Sequence, residues 1–344
     1  MKGMRLGREK TGSSVGKKAP KPDKLYKQKN KAEKSSGLDS SEVAQASPLF
    51  VDCKCDAYDH TLPHLQSKLI GCGVTVYLHE FGDANGWLDN TEIWGMATST
   101  FPRRANKLGE SEHEELLDAV ANKPGLVAVC TGVQYGKQPF GEPKPCCDSE
   151  YQKVAFGVHC RFALKHSLPM VLSISPDCRD ERENARALAD LKSWLDEYHV
   201  PKTHKLYFCS WVGSVPSALG LLKLYPNAII GLNGAITFRS NDHLREAAFD
   251  LPLDRLVLES DAPNNPPSEL LLPHSSWTVL VVAQCVAAQK KLTVEQVLMQ
   301  TNATAAMFFG RKLREAAKEE EEEPTSPPEQ QSNVDLQELA KYLE

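Results

Sequence analysis

LPLDRLVLESDAPNNPP, residues 251–267, passes from an apolar run, RLVLESD (255–261), into a loop stiffened by Pro263, Asn264, Asn265, Pro266 and Pro267. Proline fixes its own backbone and asparagine favours turns, so the chain is held rigid just beyond Asp261. A short run of apolar and β-branched residues that ends in a carboxylate reads as a buried strand with chemistry at its carboxyl end. Seven similar runs precede it: LFVDCK (49–54), VTVYLH (74–79), WGMATS (94–99), LVAVCTGV (126–133), PMVLSIS (169–175), KLYFCSW (205–211) and AIIGLNG (228–234).

Helical patterns fill the gaps. In RENARALADLKSWLDEY (182–198), Ala185, Leu188, Leu191 and Leu195 recur three or four residues apart. SEHEELLDAVANKPG (111–125) opens with Ser111 and Glu114 at capping-box spacing and closes on Pro124 and Gly125. Near-continuously apolar strands that alternate with helices predict a parallel sheet covered on both sides. Eight such units over residues 48–310 suit a closed α/β barrel, the (β/α)8 TIM type. No GxGxxG or GxxxxGK[ST] follows the first strand, which speaks against a nucleotide-binding doubly wound sheet.

Outside the barrel the composition changes. Residues 1–47 carry +7, are rich in Lys, Ser, Gly and Pro, and hold too few apolar residues to offset chain entropy, which predicts a disordered basic arm. Its run GKKAPKPDKLYKQKNK suits a solvated tail, a nuclear address or a weak phosphate-binding arm. Residues 311–344 carry −5: an acidic, proline-containing linker leads to VDLQELAKYLE, in which Val334, Leu336, Leu339 and Leu343 have roughly helical spacing. Either charged tail offers a protein-partner surface. The central region carries about −7, which gives no nucleic-acid-binding field.

With no apolar run near 18 residues and no apolar stretch after the first charges, neither a membrane partner nor an export signal is expected. A location in the cytoplasm, the nucleus or both follows. The ten cysteines show no CxxC spacing, so reduced thiols are expected rather than a structural zinc module.

The strand ends of a barrel carry its chemistry. They place Lys54 and Asp56 after strand one and His79 and Glu80 after strand two. Cys130 and Gln134 lie in strand four, Ser173 and Ser175 in strand five, Cys209 in strand six and Asp261 after strand eight. Residues 251–267, YPNAIIGLNGAITFRSNDHLREAAFDLP (225–252) and LTVEQVLMQTNATAAMFFG (292–310) resemble the TatD family of metal-dependent hydrolases, with weaker similarity in FVDCKCD, AVCTGVQYG and LPMVLSIS. The resemblance implies a metal-dependent hydrolase barrel, a nuclease acting on DNA or RNA ends, and a pair of divalent ions.

Residue by residue, the resemblance also implies losses. The family's His-x-His falls on Lys54 and Asp56, its bridging Glu on Cys130 and the Asp of the same motif on Gln134. The strand-five His and the Arg after it fall on Ser173 and Ser175, and the strand-six His on Cys209. An Asn-Glu-Pro falls on His274, Ser275 and Ser276, and Asp261 alone keeps the pattern. Two-ion hydrolysis needs ligands that hold the ions and generate hydroxide. Lys, Ser and thiol in place of imidazole remove most of them, so no cofactor is expected. Lys54 brings its own positive charge and is expected to pair with Asp261 or Asp56.

Other readings stay open. Cys130 and Cys209 with Asp56 or Asp261 would make a sulfur-rich zinc site, or the thiols are buried small hydrophobes. Cys55 or Cys209, activated by Lys54, would make a nucleophile, and His79 is either structural or within reach of the mouth. Trp211 is rim packing or a base-stacking surface. The leading expectation is a degenerate barrel acting as a binding or scaffold protein, a pseudoenzyme. The alternatives are a nuclease working with an altered or single Mg, Mn or Zn ion on nucleic acid, and a small-molecule binding barrel.

Overall fold

The computed structural model describes residues 50–56, 73–80, 95–99, 102–123, 125–135, 148–175, 181–262, 264–268 and 274–311. Both charged tails, apart from Arg311, lie outside these residues. So do the side chains of Asp56, His79 and Ser175.

Each expected apolar run forms a strand: β1 (Phe50–Asp56), β2 (Gly73–Glu80), β3 (Gly95–Ser99), β4 (Leu126–Gln134), β5 (Met170–Ser175), β6 (Leu206–Cys209), β7 (Ile229–Leu232) and β8 (Leu256–Leu258). They pair in parallel in chain order, the topology of an α/β barrel. β6, β7 and β8 are shorter than the runs that announced them, because polar residues at their ends leave the ladder to build the mouth. The ring closes where β8 meets β1: the Asp261 N–H donates to the Lys54 carbonyl at 2.9 Å, and the Ser260 N–H to Asp52 Oδ1 at 2.9 Å.

The described helices are α1 (Glu110–Val120), α2 (Ser149–His166), α3 (Glu181–Glu197), α4 (Val215–Leu224), α5 (Asp242–Asp250), α6 (Val279–Lys290) and α7 (Val294–Phe309). α1 starts one residue before the expected cap. Glu112, not Glu114, reaches back, accepting from the Gly109 N–H at 2.6 Å, and Ser111 lies inside the first turn. α3 buries the three expected leucines, Leu188, Leu191 and Leu195, together with Ala187 and Trp194, and leaves Ala185 of the expected row exposed. α7 is opened by a capping box between Thr293 and Gln296 and is terminated by Gly310 with φ of 66°.

Two apolar layers result. The larger packs helices against the outside of the sheet, with Phe156, Leu191, Trp194, Phe208 and Leu256 among its members. The smaller draws Val51, Cys53, Ala97, Cys130, Val171, Tyr207, Cys209, Ile229 and Val257 from seven strands and adds Ala305, Phe308 and Phe309 from α7. That is a barrel interior plugged at its base, where the Tyr207 ring lies 6.0 Å from Phe308 and 6.2 Å from Phe309.

Candidate site at the barrel mouth

Register in β1 decides where its side chains go. Asp52 pairs with Thr75 and Cys55 with Tyr77, so Cys53 and Lys54 together oppose Val76. This bulge shifts the in-and-out alternation by one residue. Cys53 joins the interior cluster, and the next side chain, Lys54, also turns to the mouth, where its ammonium pairs with Asp261 Oδ1. Both side chains are nearly buried, at 7% and 2% exposure. Of the two partners expected for Lys54, the structure supplies Asp261.

Asp261 sits at φ of 56°, a left-handed conformation that a residue with a Cβ adopts only under local constraint. Its second oxygen accepts from Ser210 Oγ at 3.2 Å, Asn233 Nδ2 at 3.2 Å and Asn265 Nδ2 at 2.5 Å. Each donor has its own anchor. Asn233 ends β7 and accepts from the Ala235 N–H at 3.0 Å. Asn265 lies in the proline-rich loop, which packs so closely on Gly234 that a Cβ there would meet the Asn265 carbonyl at 2.8 Å. The Ser268 N–H then ties that loop to Thr237 Oγ1 at 2.7 Å.

Two further carboxylates are buried nearby, Glu259 just after β8 and Asp52 at the β1–β8 seam, and sequence reasoning singled out neither. Glu259, fully buried, takes the Tyr207 hydroxyl, the Ser210 N–H at 2.9 Å and Ser210 Oγ at 3.0 Å. Burial pushes its carboxyl above the usual range, against the pull of the Lys54 charge and these hydrogen bonds. Asp52 takes the Ser260 N–H and, at 2.6 Å, Ser260 Oγ, with further donation from Ser276; burial nonetheless raises it to about 7. The signal was in the sequence: an acid inside FVDCK, and a polar ESD run directly after an apolar strand, each demand buried partners.

Other expected residues sort differently. Cys130 and Cys209 are buried within the interior cluster. Cys55 is fully buried and donates to the Ala262 carbonyl at 3.5 Å. Neither Cys55 nor Cys209 therefore offers an open thiol, which counts against the nucleophile reading. Among the described residues, no three His, Cys, Asp or Glu side chains converge as a metal-binding group.

Gln134 ends β4 with its backbone clipped by Gln152 of α2 at 2.9 and 2.8 Å. Ser173 is half-buried opposite Gly132. Trp211 is 4% exposed and presses its indole on Gly213, so it is packing rather than an open stacking face. His274 Nε2–H donates to the Asn264 carbonyl at 2.6 Å, and burial lowers its pKa.

Comparison with known proteins locates this arrangement. The profile of the family described as "TatD related DNase" matches residues 66–310. The human "3'-5' RNA nuclease TATDN2" is 29% identical over half of this chain, although the match spans only 20% of that protein's length. An "Uncharacterized metal-dependent hydrolase TatD" of Mycobacterium tuberculosis is 24% identical over 74% of this chain and 94% of its own. A "3'-5' ssDNA/RNA exonuclease TatD" of Erwinia amylovora is 29% identical over 63% of this chain and 78% of its own. Among solved structures, a TatD homologue from Escherichia coli superposes with a TM-score of 0.61 at 19% identity, over 76% of this chain and 98% of that one, and supports the fold.

Proposed function

The chain belongs to the TatD-related DNase family, and on that premise we propose a barrel that has kept the family's architecture while exchanging its ion site for an internal ion pair, and that acts by binding or scaffolding. The observation that carries this reading is the buried Lys54–Asp261 pair. An ammonium at that place would repel a divalent ion by several kcal/mol at the effective dielectric of a protein site. It also balances the carboxylate charge that an ion would otherwise balance.

Among the described residues, we read the remaining donors as unsuited to a divalent pair. Asp261 is already shared among Lys54, Ser210, Asn233 and Asn265, and Glu259 is occupied by Tyr207 and Ser210. Asp52 faces the β1–β8 seam, held by Ser260. The thiols of Cys130 and Cys209 lie among apolar side chains.

The nuclease names of several relatives favour the second reading, an exonuclease working with an altered ion site. Assays of single-stranded DNA and RNA ends in magnesium and in manganese, on the native chain and Asp261→Ala, separate the two. The proposal expects no metal-dependent cleavage from either protein. Cleavage by the native chain that Asp261→Ala abolishes would overturn it.

A further inference from the structure

Left-handed backbone without glycine is concentrated at one point of the mouth. Six described residues other than glycine have positive φ, and three of them, Ser167, His199 and Lys291, fall where α2, α3 and α6 end, an ordinary place for it. The other three, Ser210 at 49°, Asp261 at 56° and Asn265 at 46°, converge: Ser210 Oγ and Asn265 Nδ2 both donate to Asp261 Oδ2. Strain gathered on one set of polar side chains is the mark of a working site rather than of a turn.

We propose that Ser210 is a nucleophile and Glu259 its base, for the metal-free hydrolysis of neutral carboxylic esters. Ser210 follows β6 directly, between Cys209 and Trp211, and it alone of the three is not fully buried. Its hydroxyl donates to Glu259 Oε2 at 3.0 Å, the contact through which a base takes the proton of a nucleophile. Glu259 cannot turn away. The Tyr207 hydroxyl holds Oε1, the Ser210 N–H holds both oxygens at 2.9 and 3.0 Å, and the carboxylate lies so close on Gly231 that no Cβ would fit there. Half-buried Asn265 gives one amide hydrogen to Asp261 and has a second for the oxygen of a carbonyl seated at Ser210.

Charge selects the substrate. The Lys54 ammonium is paired with Asp261, and Glu259 as base adds a second carboxylate to the one hydroxyl. A phosphodiester anion is repelled there, whereas an uncharged ester is not. In the first step the Ser210 oxygen bonds to the acyl carbon and its proton passes to Glu259. The alcohol then leaves with that proton as the ester C–O bond breaks. Water adds to the acyl-serine with a proton again held by Glu259, and the carboxylic acid departs as Ser210 regains its hydrogen. Ester and water are consumed, acid and alcohol are formed, and nothing is oxidised or reduced. Such chemistry goes beyond binding and needs no ion.

The test uses the full chain in excess EDTA, with a fluorophosphonate and p-nitrophenyl acetate as probes. An activated serine displaces fluoride from the first, and peptide mass spectrometry locates the adduct. An adduct on Ser210 is expected, together with hydrolysis of p-nitrophenyl acetate that Ser210→Ala and Glu259→Gln each lower by about a hundredfold. Labelling is read on the native chain, so a folding defect in either variant leaves it decisive. A native chain without an adduct on Ser210 would overturn the proposal. Hydrolysis undiminished in Ser210→Ala would do the same, as would hydrolysis that EDTA abolishes, which would return the chemistry to an ion.

Discussion

Lys54 and Asp261 hold opposite charges in a place from which water is nearly excluded, and each is costly without the other. Lys54→Met keeps the stem and removes the charge, leaving the Asp261 carboxylate buried with dipoles alone. Removing one partner of a buried pair costs about 3–5 kcal/mol. Urea unfolding is expected to show a loss of that order, partly recovered in Lys54→Met, Asp261→Asn.

Asp52 adds a pH signature. Its carboxyl binds a proton more tightly folded, with pKa about 7, than unfolded, near 3.8. Its contribution is therefore fully present below the unfolded value and fades as pH rises through about 7. Asp52→Asn is expected to remove that fall, so that its unfolding free energy changes less than the native chain's between about pH 5 and about pH 8, by a few kcal/mol at most. An unchanged pH slope would mean that the seam does not hold Asp52 in the way described.

At the scale of elements, close approach does as much as hydrogen bonding. A Cβ on Gly132 of β4 would lie 1.9 Å from the Ser173 carbonyl oxygen of β5, a backbone atom that cannot turn aside. Gly132→Ala is expected to cost about 3 kcal/mol or more. Gly220 of α4 meets nothing within 4 Å, and Gly220→Ala is expected to gain about 0.5–1 kcal/mol, both read by the same unfolding curves.

Between α1 and α2, His113 and His159 lie edge to face with ring centroids 6.0 Å apart. Burial lowers His159 to about 4. A base lowered on folding loses stability as pH drops from its unfolded value near 6.5 towards 4, opposite in sign to Asp52. His159→Phe is expected to flatten that acid-side loss, and an unchanged acid limb would contradict it.

These elements also show what the sequence could tell. Strand positions were legible because a strand covered on both faces must be apolar throughout. The cap of α1 was missed by a residue pair because Ser111 and Glu114 match the motif, whereas Gly109 has no side chain to accept and supplies only the N–H that Glu112 takes, and only the path of the incoming chain chooses. Lys54 was singled out as a residue of the mouth, although β1 runs past it to Asp56 rather than ending before it. The bulge that delivers it was not legible, because a one-residue slip leaves no compositional mark. Glu259 was hidden within the strand-end motif, since its partners Tyr207 and Ser210 lie some fifty residues away in the chain.

For the molecule as a whole, the described residues of an eight-stranded parallel barrel hold its mouth and its β1–β8 seam together with the buried carboxylates of Asp52, Glu259 and Asp261, the Lys54 ammonium and a set of hydroxyl and amide donors. No helix among the described residues is long and apolar enough to cross a membrane. The fold is the family's, and the proposal concerns what the mouth now does with its charge. That question reduces to whether divalent ions find a place beside Asp261. Titration of the full chain with manganese, followed by the loss of the free-ion electron paramagnetic resonance signal, measures this directly. The account predicts no saturable binding, in the native chain or in Asp261→Ala. Stoichiometric uptake of one or two ions by the native chain, lost in Asp261→Ala, would contradict it.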